Sequence, residues 1–309
     1  MGRNGAYIPR MPGVGRVLLI VLVILRGASV HAEEKPQGQE EQQSNEEEQQ
    51  EATDASKLER EFNDPLTTLP QFFFQDAYTP ANYGTDAQTN RLIARAIIPR
   101  IPSFSLFPFV QLIRPTFSLV TVPEGKGSAT RTEFGDMQLF DFAVLPGSSK
   151  ERGLLWGAGP VFSFPTATDK TAGQGSWQAG PGAAFVYKAI PGILLGGLIQ
   201  NPISFAYTSP DRKPTSTLLI QPIVVAHIGR GFYLKSADAT WAINWYRHGS
   251  TTIPISFGIG YVRVRDGLPP INLFVTGEWM AYRQFAPVAP QTTIRFGMTI
   301  AIPGWRWWE

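Results

Sequence analysis

From about residue 89 to residue 302 the chain repeats one pattern. Apolar and polar residues alternate for a stretch, Gly, Pro, Asn or Asp closes it, and a similar stretch follows about twenty residues later. Period-two alternation places every second side chain on one face of a β-strand, and the 3.6-residue period of a helix is missing here. In 271–282, Ile271, Leu273, Val275, Gly277, Trp279 and Ala281 share one face against Asn272, Thr276 and Glu278. In 292–302, Ile294, Phe296, Met298, Ile300 and Ile302 oppose Thr293, Arg295 and Thr299. In 252–262, Ile253, Ile255, Phe257, Ile259 and Tyr261 oppose Thr252, Ser256, Gly258 and Gly260. Around 234–244, Ala237, Ala239, Trp241 and Ile243 oppose Ser236, Asp238, Thr240 and Asn244.

The spacing of these stretches selects an architecture. Eleven can be counted, centred near 95, 117, 139, 159, 180, 200, 222, 240, 258, 276 and 297. A soluble sandwich turns every 8 to 12 residues or so. A membrane strand of roughly 9 to 11 residues, with its turn and rim extension, uses about twenty. The pattern therefore predicts an all-β fold, an antiparallel transmembrane β-barrel of about 12 strands within a range of 10 to 12. Even strand numbers are the rule in bacterial barrels, so a twelfth strand is expected at 69–78 or 103–110. All eight tryptophans lie between Trp156 and Trp308, and Trp156, Trp177, Trp245, Trp279 and Trp305 fall toward strand ends, as aromatic girdles require.

The chain before the strands divides at two composition breaks. Residues 1–32 carry four Arg and no acid, and 17–25 read VLLIVLVIL before the small-residue site Val30-His31-Ala32. This is the pattern of a secretory signal peptide. Nine residues span about 13 Å as a helix, well short of a bilayer core of roughly 30 Å. Starting at Met11 in place of Met1 would give the signal a more usual length. Residues 33–64 form a Glu/Gln-rich segment, with eleven acids against three bases in 33–62 and hence a net charge of −8. With almost nothing to bury, it is expected to be disordered or transiently helical. The barrel is assigned to 65–309. Its bases are dispersed, which argues against a nucleic-acid partner.

Catalytic chemistry finds little support. With no Cys there is no thiol nucleophile, disulfide or thiolate metal site. No G-x-S-x-G or H-E-x-x-H motif occurs, the H-x-E at 31–33 is split by the expected cleavage after Ala32, and His227 and His248 read as rim residues. Neither an enzyme nor a cofactor or metal site is expected. The polar strand faces supply the candidate lumen residues Arg91, Arg95, Asp238, Glu278 and Arg295, with Glu278 and Arg295 placed to pair across adjacent strands. Pro160, Pro181, Pro202 and Pro222 recur at intervals of 21, 21 and 20 residues inside strand segments. Proline removes a ladder donor, so these four are expected to form a belt of kinks or bulges, shaping the wall or opening it sideways.

The segments around this belt also carry a family resemblance: GPVFSFPTATD at 159, GSWQAGPGA at 175, LLGGLIQNPISFA at 194, ATWAINW at 239, TTIPISFGIGYV at 251, PPINLFVTGEW at 269 and TTIRFGMTIAIP at 292. Over roughly 68–303 the chain resembles the bacterial outer-membrane family labelled meta-cleavage pathway of phenol degradation, often called transporters and sometimes misnamed neuromedin U. The resemblance implies a barrel that passes small hydrophobic or aromatic molecules, inserted among outer-membrane lipids by the barrel assembly machinery. Two features depart from it: the acidic segment is an addition, and the chain ends on Glu309 where similar barrels end on an aromatic residue.

Two readings follow. One is an outer-membrane channel or transporter for small hydrophobic or aromatic molecules. The other is a non-conducting structural or partner-binding barrel. Both require export into a diderm envelope, so mass spectrometry of the exported protein should find Glu33 at its N-terminus. A product that retains residues 17–25 would instead indicate an uncleaved anchor.

Overall fold

The computed structural model describes residues 55–100, 110–124, 130–145, 153–236, 238–246, 248–265 and 267–302. The expected signal peptide, residues 33–54, Trp305 and most of 103–110 lie outside them. Residues 55–63 form a helix, α1. The strands are β1 (Gln71–Tyr83), β2 (Thr89–Arg100), β3 (Gln111–Pro123), β4 (Thr130–Phe134), β5 (Met137–Val144), β6 (Leu154–Phe164), β7 (Ser176–Tyr187), β8 (Ile193–Gln200), β9 (Ile203–Tyr207), β10 (Thr217–Gly229), β11 (Phe232–Ser236), β12 (Trp241–Asn244), β13 (Ser250–Arg265), β14 (Leu268–Gln284) and β15 (Ala289–Ala301).

Three pairs, β4/β5, β8/β9 and β11/β12, are single strands interrupted once, so the sheet has twelve staves. It closes on itself, because β15 pairs with β1 and β10 joins β8 to β11 and β12, all antiparallel. Each expected stretch becomes a stave, and the twelfth is β1, at the first of the two places expected.

The burial pattern is the inverse of a soluble protein's. Ile255 is 57% exposed, Phe257 56%, Phe296 48% and Trp156 48%, whereas Asn272 and Thr276 are each 1% exposed. Apolar residues face outward and polar ones inward, as in a barrel whose outer belt meets lipid. Trp156 stands toward the end where β1 begins and β15 finishes, the terminal end of the barrel. Trp177, Trp245 and Trp279 stand toward the other end, where the links 165–175 and 208–216 lie. These two links form a braced rim through Lys170–Asp211 at 3.0 Å and two bonds donated by Arg212 to the carbonyls of Lys170 and Gly173.

The proline belt takes a specific form. Pro160 and Pro181 lie directly opposite each other on β6 and β7, both pointing outward, and Pro202 occupies the break in the β8/β9 stave. The carbonyl of Pro181 accepts from Asn201 N at 3.0 Å, so its donorless nitrogen faces that same break. On the other side, the β5–β6 ladder skips from Phe140↔Val161 to Ala143↔Ala158, where Pro160 would have donated. Pro222 does not join them. It pairs with Gly197, five positions along the stave from Pro202, so the belt spans three staves and not four.

The wall stays shut despite the missing ladder bonds. A Cβ added at Gly159 would overlap the carbonyl oxygen of Asp141, and one at Gly180 that of Asn201. The glycines before Pro160 and Pro181 thus let the neighbouring backbones close in, and the belt shapes the wall without opening it. Gly180→Ala should destabilise the barrel by about 1–3 kcal/mol. This would be read as a lower temperature for the loss of compact migration on unboiled gels, and an unshifted transition would show that the wall yields at this point.

Candidate functional site

The inner wall from β13 around to β5 carries most of the lumen charge. Thr276, Arg295, Ala77 and Arg91 stand side by side on β14, β15, β1 and β2. Arg295 bonds Glu278 at 2.8 Å, the pair expected from the strand faces. Two rows toward the terminal end, Thr299, Phe73, Arg95 and Thr116 align, and Arg95 Nε donates to Thr116 Oγ1 at 3.2 Å. Asp238 pairs with Lys235 at 2.9 Å.

Cations and rings alternate along this wall. Lys235 Nζ lies 3.9 Å from the centre of the Phe274 ring, Phe274 stacks on Phe73 at 5.9 Å, and Arg95 Cζ lies 4.9 Å from Phe73. Such contacts hold a cation against a ring face in place of water. Phe274 fits because Gly297, its neighbour on β15, has no side chain; a Cβ there would enter the ring. Arg114 repeats the motif on β3, 4.2 Å over Phe140.

The five candidate lumen residues therefore all face inward, but the sequence reading missed Lys235, Arg114 and the inward Phe73, Phe140 and Phe274. Arg114, Thr116 and Ser118 alternate on one face of β3, which is a usable signal. Lys235 was hidden by a change of parity. Tyr233 and Lys235 point inward on odd numbers, whereas Ala242 and Asn244 follow on even numbers after the break at Asp238, which has φ 70°.

Toward the terminal end the inner wall turns apolar, and a segment from the N-terminal side covers it. Ala55, Leu58 and Phe62 of α1, on one helical face, pack against Val186, Leu194, Ile223, Val225, Tyr233 and Val262. Leu66 then packs across the lumen against Leu112, Phe140, Phe142, Val161, Ala184 and Leu198. Glu59 Oε2 meets His227 Nδ1 at 2.5 Å, and Lys188 Nζ meets Asp64 Oδ2 at 2.6 Å and Glu61 Oε1 at 3.2 Å. Residues 33–64 are expected from the sequence to be disordered or transiently helical, and in the structure 55–63 form a helix: three apolar residues are too few to hold it alone, but tertiary burial suffices. His227, expected at the rim, is instead an anchor of this plug.

Burial sets the electrostatics of the plug. It pushes the Glu59 carboxyl above its ordinary range against the pull of His227, and does the same to Asp64 against the pull of Lys188. Burial also pulls the Lys188 ammonium down, but Asp64 and Glu61 outweigh it and hold Lys188 above the usual lysine value.

No family model matches the chain, and no curated protein is similar to it in sequence. Among solved structures, it is similar to the COG4313 outer membrane channel from Pseudomonas putida F1. The TM-score is 0.53 at 12% identity, over 78% of this chain and 98% of that one. It is also similar to the NanC porin, with a TM-score of 0.45 at 10% identity over 75% and 98% of the two chains. For the KdgM porin the TM-score is 0.41 at 10% identity, over 75% and 99%. The first likeness establishes the fold, that of an outer-membrane β-barrel.

Lys188→Ala would leave Asp64, whose side chain is 1% exposed, without its cation. Plug docking should weaken by about 3 kcal/mol at neutral pH, detected as cleavage by a Glu-specific protease at Glu59 and Glu61. A carboxyl whose value is raised on docking docks best when protonated and loses that contribution as pH rises through the raised value. The defect of Lys188→Ala should therefore shrink as pH falls through the raised Asp64 value, and a defect independent of pH would separate Lys188 from Asp64.

Proposed function

We propose that this chain is an outer-membrane channel that passes small hydrophobic or aromatic molecules, and that it belongs with the phenol-degradation-labelled family whose motifs it resembles. The observation that carries this reading is the row Lys235, Phe274, Phe73 and Arg95 on the inner wall. These rings brace the neighbouring cations, and they also put apolar aromatic surface on the lumen side, against which a passing flat solute can lie. Arg91 on β2 and Gln138 on β5 are both exposed although both face inward, so the lumen is accessible between the plug and the loop rim. In this reading the apolar outer belt meets outer-membrane lipid, and the barrel assembly machinery inserts the chain.

The second reading, a closed barrel that conducts nothing, is favoured by one observation. The segment from Ala55 to Leu66 reaches both sides of the lumen at the terminal end. Beyond its chain link to β1, the plug is held by two small apolar clusters, two ion pairs of Lys188 and the Glu59–His227 contact, and such a set can release in a channel or stay docked in a closed barrel.

Planar-bilayer recording separates the two. The mature chain should give small or intermittent current steps, and deletion of residues 33–63 should raise the open current several-fold. A deleted variant that folds, judged by heat-modifiable migration, and stays silent would establish the closed barrel.

A further inference from the structure

We infer that the lumen site takes an aromatic or similarly flat solute that carries a negative charge, with a carboxylate as the best-matched group. This rests on the channel reading for its role in transport, but the site itself is argued from the wall.

Between the plug and the rim the inner wall holds five bases, Arg91, Arg95, Arg114, Lys235 and Arg295, against two acids, Asp238 and Glu278. Those acids are already engaged, with Lys235 and Arg295. Arg91, Arg95 and Arg114 form no ion pair among the described residues. They run down one wall: Arg91 and Arg95 are four residues apart on β2, about 13 Å. Arg114 lies on β3 diagonally beyond Arg95, at about 7–8 Å. An unpaired cation in a confined polar channel is the usual device for drawing anions through a pore.

A second observation points the same way. Gln75 Nε2, Arg114 Nε and Arg295 Nε are buried without a hydrogen-bond partner, and Gln75 is only 4% exposed. Gln75 sits on the inner face of β1 between Phe73 and Ala77, flanked by Gly297 and Ile93. The acceptors Gln71 Oε1 and Asp238 Oδ2 and the hydroxyl of Thr276 are also without a hydrogen-bond partner, but Asp238 already faces Lys235, and around Arg114, Gln75 and Arg295 the free nitrogens are donors, which a solute satisfies by bringing acceptors. A carboxylate brings two oxygens with about four lone pairs and no proton, and its bonds to guanidinium are charge-assisted and can be bidentate. Phe73 and Phe274 lie beside these cations, and Phe73, the less buried of the two, gives the rest of such a solute an apolar edge to lie against, whereas Phe140 is already covered by Leu66 and Phe142. A neutral apolar molecule would use the rings and leave every cation unmatched, and a cationic one would be repelled.

The test compares benzoate with benzamide, which has nearly the same shape but no charge, on the full mature chain in detergent by ligand-observed NMR titration. Benzoate should bind about tenfold more tightly, the ratio expected for one charge-assisted hydrogen bond, and only its binding should weaken with added salt. Arg95→Gln combined with Arg114→Gln should collapse the ratio toward one. Equal binding of the two probes by the wild-type protein would overturn the inference even if the variant failed to fold, as would a ratio that survives in a folded variant. Bilayer recording in a benzoate gradient then separates the two proposals. Benzoate binding without current defeats the channel reading and leaves the site standing, while current with no preference for benzoate does the reverse.

Discussion

Everything in this structure depends on closing the backbone ladder. In hydrocarbon no water is present to satisfy an open sheet edge, and each unpaired amide or carbonyl costs several kcal/mol. Twelve staves solve this by pairing β15 with β1 and β8 with β10, so that each stave has an antiparallel neighbour on both sides. Once the ring is closed, alternation decides the rest. One face of every stave must suit lipid and the other must suit whatever fills the interior. The prolines show how tight the constraint is. Pro160 and Pro181 share a pair in which neither is asked to donate across the pair itself, and their missing donors fall where the flanking ladders are already interrupted. Adjacent glycines then allow the backbones to close the wall.

Closure leaves an interior of two characters, and the N-terminal segment follows from that. Val186, Leu194, Ile223, Val225 and Val262 line one end of the lumen, where bare apolar surface would face water. Covering them draws in Ala55, Leu58 and Phe62, and the acids on the same segment must then find cations or protons. His227 and Lys188 stand where Glu59 and Asp64 arrive. Burial that favours the protonated carboxyls and the partners that favour the ionised ones oppose each other here, so docking is sensitive to pH and to loss of Lys188.

The strands were legible because an outward apolar face and an inward polar one leave the simplest signal a sequence can carry. β1 was weaker for a physical reason: it places Phe73 inward and Asp76 in register with the outward Leu92 and Phe296, which blurs the alternation. The Glu278–Arg295 pair could be read because their two strands are joined by one hairpin. The Lys235–Asp238 pair could not, because the break between β11 and β12 changes which parity faces inward. The plug was illegible for a different reason. Its helix has three apolar residues in an acidic context, and what stabilises it is a patch contributed by β7, β8, β10, β11 and β13, which no local pattern in 55–63 announces.

The lumen charges raise a question of balance that the pairings resolve. An interior with equal numbers of acids and bases would brace the wall and leave little field along the axis. Here Asp238 and Glu278 neutralise Lys235 and Arg295, and each of those pairs lies beside a ring or a neutral stave. What remains is the line of Arg91, Arg95 and Arg114 on β2 and β3, where ring contacts and one threonine hydroxyl stand in for carboxylates. A ring face offsets only part of the hydration a guanidinium gives up, so these side chains keep a standing affinity for an anion. The same rings that make the arginines tolerable without an acid also define the flat, apolar body that an anion using this wall should have.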